Sequence, residues 1–357
     1  MIPKPACGII TETAKGIEMF MRDCWYVAAW DYELEDGLLA RTILGEPVVL
    51  FRGDDSSPVA LEDRCCHRHL PLSLGDKVEG ALRCGYHGLE FGYDGQCIRV
   101  PGQSKVPPGA KIASWPVVEC YRWIWIWMGD PDKADPDLIP DYHWNDDPGW
   151  RAYGDVYHVD GDYRLLVDNL MDLSHIQFLH ATTLGAATDV DAEISTQRDG
   201  DEVTISRWVM DTPPAPMCAH ALQTNDNVDR WQIIHYMPPS HVVIDAGSAL
   251  TGAGARNGDR SRGVETYSNH TLTPETEKST HYFRHHGRNF RMDDEAFTGQ
   301  LREMFSSALM EDVVAIGAQQ RSMDRHPGAS EIDINADNGV MQARRLLDER
   351  IAAEAAG

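Results

Sequence analysis

Four residues near the front of the chain combine metal-ligand chemistry with metal-ligand spacing. Cys65 and His67 form one short pair and Cys84 and His87 another, giving the pattern C-x-H-x16-C-x2-H. Each pair can hold one side of a metal centre, with two loops clamping it between them. A structural zinc ion would suit such a quartet, and so would a [2Fe–2S] cluster with both sulfurs on one iron and both imidazoles on the other. The alternation Cys, His, Cys, His favours the cluster, because each loop then supplies one ligand to each iron. Zinc sites more often pair like ligands. Gly75, Gly85, Gly88 and Gly92 lie around these loops and leave room for backbone N–H groups near inorganic sulfide.

A second constellation lies further on. Asn169, Asp172, His175 and His180 fall within twelve residues of otherwise apolar sequence. Singly, each is an ordinary hydrogen-bonded side chain; together, they would be costly to bury without something that satisfies them. His175 and His180 are five apart, about 140° on a regular helix. Both reach one ion only if the helix ends or distorts between them, so a break or π-type bulge is predicted there. A carboxylate would complete the two-histidine, one-carboxylate triad of non-haem Fe(II) sites. Leu301, Phe305, Leu309, Asp312 and Ile316 follow the period of one helical face, which sets Asp312 in an apolar stripe. A buried carboxylate there calls for a cation. Glu311 falls off the stripe and is expected to be solvated.

The elements that must carry these residues are legible in outline. Before about residue 129 the sequence offers short β-branched and aromatic runs, such as 47–51 before Gly53-Asp54 and 89–93 before Asp94-Gly95. Asp-Gly tolerates the positive φ of a tight hairpin, so the front half is read as all-β. The apolar run 123–128 reads as a strand packed on both faces. An Asp- and Pro-dense stretch over 131–150 marks a linker or irregular crossing segment. Beyond it, strands are predicted over 203–209, 231–236 and 280–283, and helices over 163–180 and 294–321. The whole is α+β.

Composition narrows the function. With 56 acidic against 32 basic residues, the chain carries a formal charge of −24. Such a field repels phosphate backbones and anionic membrane surfaces. No stretch is apolar enough to span a bilayer, no secretory signal is evident, and eight cysteines in 357 residues suit free thiols in a cytoplasmic protein.

CCHRHLPLSLGD followed by CGYHGLEFGYDGQC resembles the Rieske domain of ring-hydroxylating and O-demethylating oxygenases. The chain departs from that family at Cys66, where a proline is usual. LLVDNLMDLSHIQFLH, LMEDVVAIGAQQ and residues 268–290 are similar to the catalytic segments of vanillate O-demethylase oxygenase subunits and dicamba monooxygenase. The likeness runs from about residue 19 to 320. It implies an N-terminal all-β Rieske [2Fe–2S] domain (19–130) after an extension (1–18). A linker (131–150) and a helix-grip, START-like catalytic domain with an antiparallel sheet (151–357) would follow.

Carried over residue by residue, the resemblance implies cluster ligands Cys65, His67, Cys84 and His87 and mononuclear Fe(II) ligands His175, His180 and Asp312. Asp172 would be a catalytic carboxylate bridging His87 of one subunit to His175 of the next in a head-to-tail homotrimer, with Asn169 beside it. His270 and His241 are implied substrate contacts. His281, Arg284, His285 and His286 form a basic patch that holds a carboxylate or is simply a solvated strand end. No G-x-G-x-x-G follows a strand, so electrons from NADH are expected through a separate flavin- or ferredoxin-type reductase. The implied reaction is O2-dependent demethylation of a methoxylated, vanillate-like aromatic acid with release of formaldehyde. Phthalate-type ring hydroxylation, a Rieske electron carrier without catalytic iron, and a zinc-stabilised binding module are the rival functions.

Overall fold

The computed structural model describes residues 20–35, 37–181, 183, 192–214 and 216–356; the extension expected over 1–18 lies outside the described residues. The front half is built from eleven short strands: β1 (Trp25–Trp30), β2 (Leu39–Ile43), β3 (Glu46–Arg52), β4 (Pro58–Glu62), β5 (Asp76–Val78), β6 (Ala81–Arg83), β7 (Glu90–Gly92), β8 (Cys97–Arg99), β9 (Ser114–Trp115), β10 (Val117–Cys120) and β11 (Trp123–Trp127). They form three antiparallel sheets, β1-β11-β10, β2-β3-β4-β9 and β5-β6-β7-β8. Asp94-Gly95 does turn the chain after β7, with Gly95 at φ +78°.

The second half rests on one seven-stranded antiparallel sheet. Its strands are β12 (Arg151–Val159), β13 (Ile194–Asp199), β14 (Glu202–Thr212), β15 (Val228–Met237), β16 (His241–Leu250), β17 (Gly263–Thr276) and β18 (Ser279–Arg288), in the order β12-β18-β17-β16-β15-β14-β13. Helices α1 (Tyr163–Leu170), α2 (Ile176–Leu179), α3 (Pro216–Leu222), α4 (Glu295–Arg325) and α5 (Asn338–Ala356) accompany it. Alternation along the strands gives each face a different partner. Ile205, Ile234, Val242, Leu272 and Tyr282 share one core with Leu309 and Ile316 of α4 and Leu346 and Leu347 of α5. Val243 and Phe283 point the other way, into a second cluster with Trp25, Trp30, Trp123, Trp125 and Trp127.

That second cluster joins the two halves. All five residues of β11 are buried. Ile124 and Ile126 face the core of the front domain, while the three tryptophans face the back sheet. The segment 131–150 is not a loose tether. It folds as short turns at Pro131–Lys133, Pro136–Leu138 and His143–Asn145, and wedges Tyr142 and Trp144 into the same aromatic layer. Helix α5 has no counterpart among the sequence expectations. Its Val340, Ala343, Leu346 and Leu347 nevertheless repeat at helical spacing and are buried. Among the described residues no helix is long and apolar enough to cross a membrane.

Candidate metal centres

The front quartet sits on two loops built alike. In the first, Cys65 N–H donates to the Leu70 carbonyl and His69 N–H to the Cys65 carbonyl (both 2.9 Å); in the second, Cys84 N–H donates to Leu89 (2.8 Å) and Gly88 N–H to Cys84 (3.0 Å). The residue closing each loop has positive φ, 60° at His69 and 71° at Gly88. Gly75 and Gly85 meet a different need from the one expected of them. A Cβ on Gly75 would lie 2.1 Å from the Arg83 carbonyl oxygen, and one on Gly85 2.7 Å from that of Leu74, so the two loops touch backbone to backbone.

This packing buries the thiols of Cys65 and Cys84, while His67 and His87 stay exposed with ring centroids 4.6 Å apart. Burial pushes the Cys65 thiol up to about 11, so an acidic metal partner is needed to hold it as thiolate. A single tetrahedral ion about 2.0–2.3 Å from each ligand would draw all four ligand atoms within about 4 Å of one another. Among the described residues, the one set of three or more such side chains whose ligand atoms lie within 4.8 Å of one another is His175, His180 and Asp312. The quartet is too spread for one zinc. Sulfurs at a buried pole and imidazoles at an exposed one fit a two-iron cluster instead.

The rear triad is built by a broken helix and a long one. α1 ends at Leu170 with Met171 as its cap, N–H donating to the Val167 carbonyl (2.9 Å), residues 172–175 turn outside either helix, and α2 is a single turn whose caps are His175 and His180. The main interruption thus falls before His175, the helix also ends at Leu179, short of His180, as expected, and no bulge lies between the histidines. Capping a one-turn helix from both ends turns the two rings inward. Nε2 of His175 lies 3.2 Å from Nε2 of His180. Asp312 Oδ1, from the buried stripe of α4, is 3.1 Å from His180 Nε2 and 3.8 Å from His175 Nε2. Three ligands on one face of an octahedral ion about 2.1 Å away stand about 3 Å apart.

Proton placement agrees with metal binding. His175 Nδ1 donates to the Asp172 carbonyl (2.6 Å), and His180 Nδ1 donates to Glu311 Oε2 (2.7 Å). Neither acceptor carries a proton, so each imidazole holds its own on Nδ1 and both Nε2 lone pairs converge on Asp312. Asn169 Nδ2 donates to Asp312 Oδ1 (3.0 Å) and orients it. Burial raises the Asp312 carboxyl, the expected strain of a desolvated anion awaiting a cation.

Glu311 was expected to be solvated. Instead it receives hydrogen bonds from His180 and Thr183, which hold its carboxyl below the usual range. A carboxylate next in sequence to a candidate ligand was the available signal. The Asp172 carboxylate accepts from Ser174 N–H (2.6 Å) and stands 3.8 Å from His175 Nδ1.

His270 is buried on the helix-facing side of the sheet, with Nδ1 2.6 Å from the Tyr282 hydroxyl. His241 does not join it. Its register partner is Thr271, one residue on from His270, so alternation turns it to the opposite face. There its ring packs on Trp125 and Nε2 donates to the Trp25 carbonyl (3.1 Å). The basic patch divides in the same way, Arg284 and His286 toward the helices, His281 and His285 toward the front domain. Arg284, His285 and His286 are buried, so the patch is no solvated strand end.

Comparison with known proteins is consistent across both halves. Residues 24–121 match the Rieske [2Fe-2S] domain and residues 159–353 match the vanillate O-demethylase oxygenase C-terminal domain. The iron-sulfur subunit of the toluene-4-sulfonate monooxygenase system of Comamonas testosteroni is 42% identical over 95% of this chain and 99% of its own length. The vanillate O-demethylase oxygenase subunit of a Pseudomonas species is 39% identical over 94% and 96%. The crystal structure of dicamba monooxygenase bound to 3,6-dichlorosalicylic acid superposes with a TM-score of 0.87 at 37% identity, covering 95% of this chain and 99% of that one.

Proposed function

This chain belongs to the Rieske oxygenases whose catalytic domain is of the vanillate O-demethylase type, with a [2Fe–2S] cluster and a mononuclear iron as cofactors, and we propose that it oxidises a methyl carbon carried by an aromatic acid. Cys65, His67, Cys84 and His87 would hold the cluster, and His175, His180 and Asp312 the iron. One observation carries this most directly: the convergence of two imidazole lone pairs and one carboxylate oxygen within 3.8 Å. It also disfavours a bare electron carrier.

When bound, the cluster relays electrons and the iron supplies O2 activation. The protein contributes positioning. The Asp172 carbonyl and Glu311 keep the Nδ1 protons of His175 and His180 in place, and Asn169 fixes Asp312. The ring of His270, on the helix-facing side of the sheet, would face the substrate. If the oxidised methyl is part of a methoxy group, its hydroxylation leaves a hemiacetal that breaks down to a phenol and formaldehyde. On a methyl attached directly to the ring, the same step stops at a benzylic alcohol. The likeness to the toluene-4-sulfonate enzyme favours keeping this second outcome beside O-demethylation of a vanillate-like acid.

Electrons would come from NADH through a separate reductase, in the cytoplasm, since all seven cysteines among the described residues are free. A head-to-tail homotrimer would place Asp172 between His87 and His175 of neighbouring subunits, and threefold closure suits such a heterologous contact. A fully active monomer would overturn the ring. The function is tested with vanillate, 4-methoxybenzoate and 4-toluenesulfonate, given reductase and NADH, scored for formaldehyde, benzylic alcohol and O2 uptake. Coupled product from at least one is expected; O2 uptake without product from any would overturn the assignment.

A further inference from the structure

The helix-facing side of the back sheet carries a buried cation that forms no ion pair among the described residues. Arg284 is 3% exposed, and its Nη2 has no hydrogen-bond partner. Among the described residues no carboxylate lies within salt-bridge distance of it. Asp155, its cross-strand neighbour, gives Oδ1 to Arg302 and keeps Oδ2 buried without a hydrogen bond, beyond ion-pair reach of Arg284. What surrounds the guanidinium is aromatic, with its carbon 5.0 Å from the Phe305 centroid and 5.9 Å from that of Tyr153.

The unmet hydrogen-bonding capacity is collective. His286 Nδ1 and Nε2 and His270 Nε2 are also buried without partners, and the Tyr153 hydroxyl is buried beside the Arg284 guanidinium. The register sets them side by side, since His270 pairs with Arg284 across β17 and β18, and Tyr153 with His286 across β12 and β18. His270 has a neighbour that decides its proton. When the Tyr282 hydroxyl donates to Nδ1, the ring's one proton lies on Nε2, which becomes a donor into the same space. Burial and the Arg284 charge keep His270 and His286 neutral. Arg284 then supplies the single positive charge, with neutral donors around it.

Leaving such groups unsatisfied is costly for a folded protein, and an oxyanion repays that cost with charge-assisted bonds. Position relates this cluster to the triad. Phe305, against which both Arg284 and His286 pack, lies seven residues before Asp312 on α4. That is about two turns, or roughly 10 Å along one helical face. A benzene ring with a substituent at each end bridges such a gap.

We infer that Arg284, supported by His286, Tyr153 and His270, is the specificity-determining receptor for the carboxylate or sulfonate of the aromatic substrate, holding the ring with its methyl-bearing end toward His175, His180 and Asp312. This rests on the reaction proposed above but assigns the head-group site to particular residues.

The test is calorimetric binding to iron-loaded, cluster-loaded protein of three probes: 4-methoxybenzoate, 4-toluenesulfonate and neutral 4-methoxytoluene. Wild type should bind an anion at least about tenfold more tightly than the neutral ether, and Arg284→Met should lose that preference while binding the ether as before. The tighter anion identifies the head group. Because no internal ion pair is broken, Arg284→Met should melt no lower than wild type without ligand. Should it fold poorly, Tyr153→Phe, which removes one hydroxyl, should weaken anion binding several-fold and spare the ether. Unchanged anion affinity in both variants overturns the inference, as does a wild type indifferent to charge. Product release from the neutral ether would in that case still uphold the oxidation of an aromatic methyl carbon.

Discussion

Glu311 shows how a single side chain acquires a role from what it touches. By periodicity it belongs to the wet side of α4, and it is half-exposed. Yet its carboxylate takes the proton-bearing nitrogen of His180 and so would fix which nitrogen is left for iron. Partners of this kind orient the ligand and raise its basicity, and losing one typically costs about 10–100-fold in metal affinity. Glu311→Ala should therefore lose iron to a competing chelator at about that ratio, while Asp312→Ala should fail to retain it and the visible spectrum of the cluster stays intact in both. Iron retention equal to wild type in Glu311→Ala would make it a surface carboxylate and nothing more. Asn169 is subtler, because its amide donates to the same Asp312 oxygen that faces both histidines.

At the scale of elements, each site uses an interruption of regular structure. The rear site needs α1 to stop, so that a one-turn helix can point its two caps at α4. The front site needs two matched loops whose backbones come closer than any side chain allows. Gly75→Ala places a methyl group 2.1 Å from the Arg83 carbonyl oxygen, so one loop must move. The expected outcome is the loss of roughly two irons per chain and of the visible colour, with the mononuclear iron kept. Destabilisation by roughly 1–3 kcal/mol, as for other overpacked positions, should accompany it. A coloured Gly75→Ala protein with full iron content would show that the loops tolerate the shift.

Across the whole molecule, an aromatic layer locks the cluster domain onto the back of the catalytic sheet, and buried histidines are part of it. Burial holds His241 down to about 4 and His285 down to about 3, against an ordinary value of 6.5. Below about 6.5 the unfolded chain takes up protons that the folded chain refuses, so stability is complete above that pH and falls as pH drops toward 4. For His241 alone the loss is on the order of 3 kcal/mol. Melting curves at pH 7 and pH 5 should show a clear drop for wild type and a smaller one for His241→Asn. Equal drops would mean that His241 is not among the titrating groups.

Much of this was readable before any coordinates. Cys and His spacing announced two loops and their chemistry, the period of residues 301–316 put Asp312 in an apolar stripe, and Asp94-Gly95 marked its hairpin. Such signals are local: a few consecutive residues and the geometry of one helix or strand suffice to generate them. Tertiary structure decided everything that required knowing what lies opposite. It turned His241 toward a tryptophan on the face opposite His270, split the basic patch between two faces, gave Glu311 a histidine to hold, and left Arg284 buried with no ion pair among the described residues. Period alone tells which residues share a face, but the partner of that face comes from strands and helices far away in the chain, and its identity is written in no local pattern.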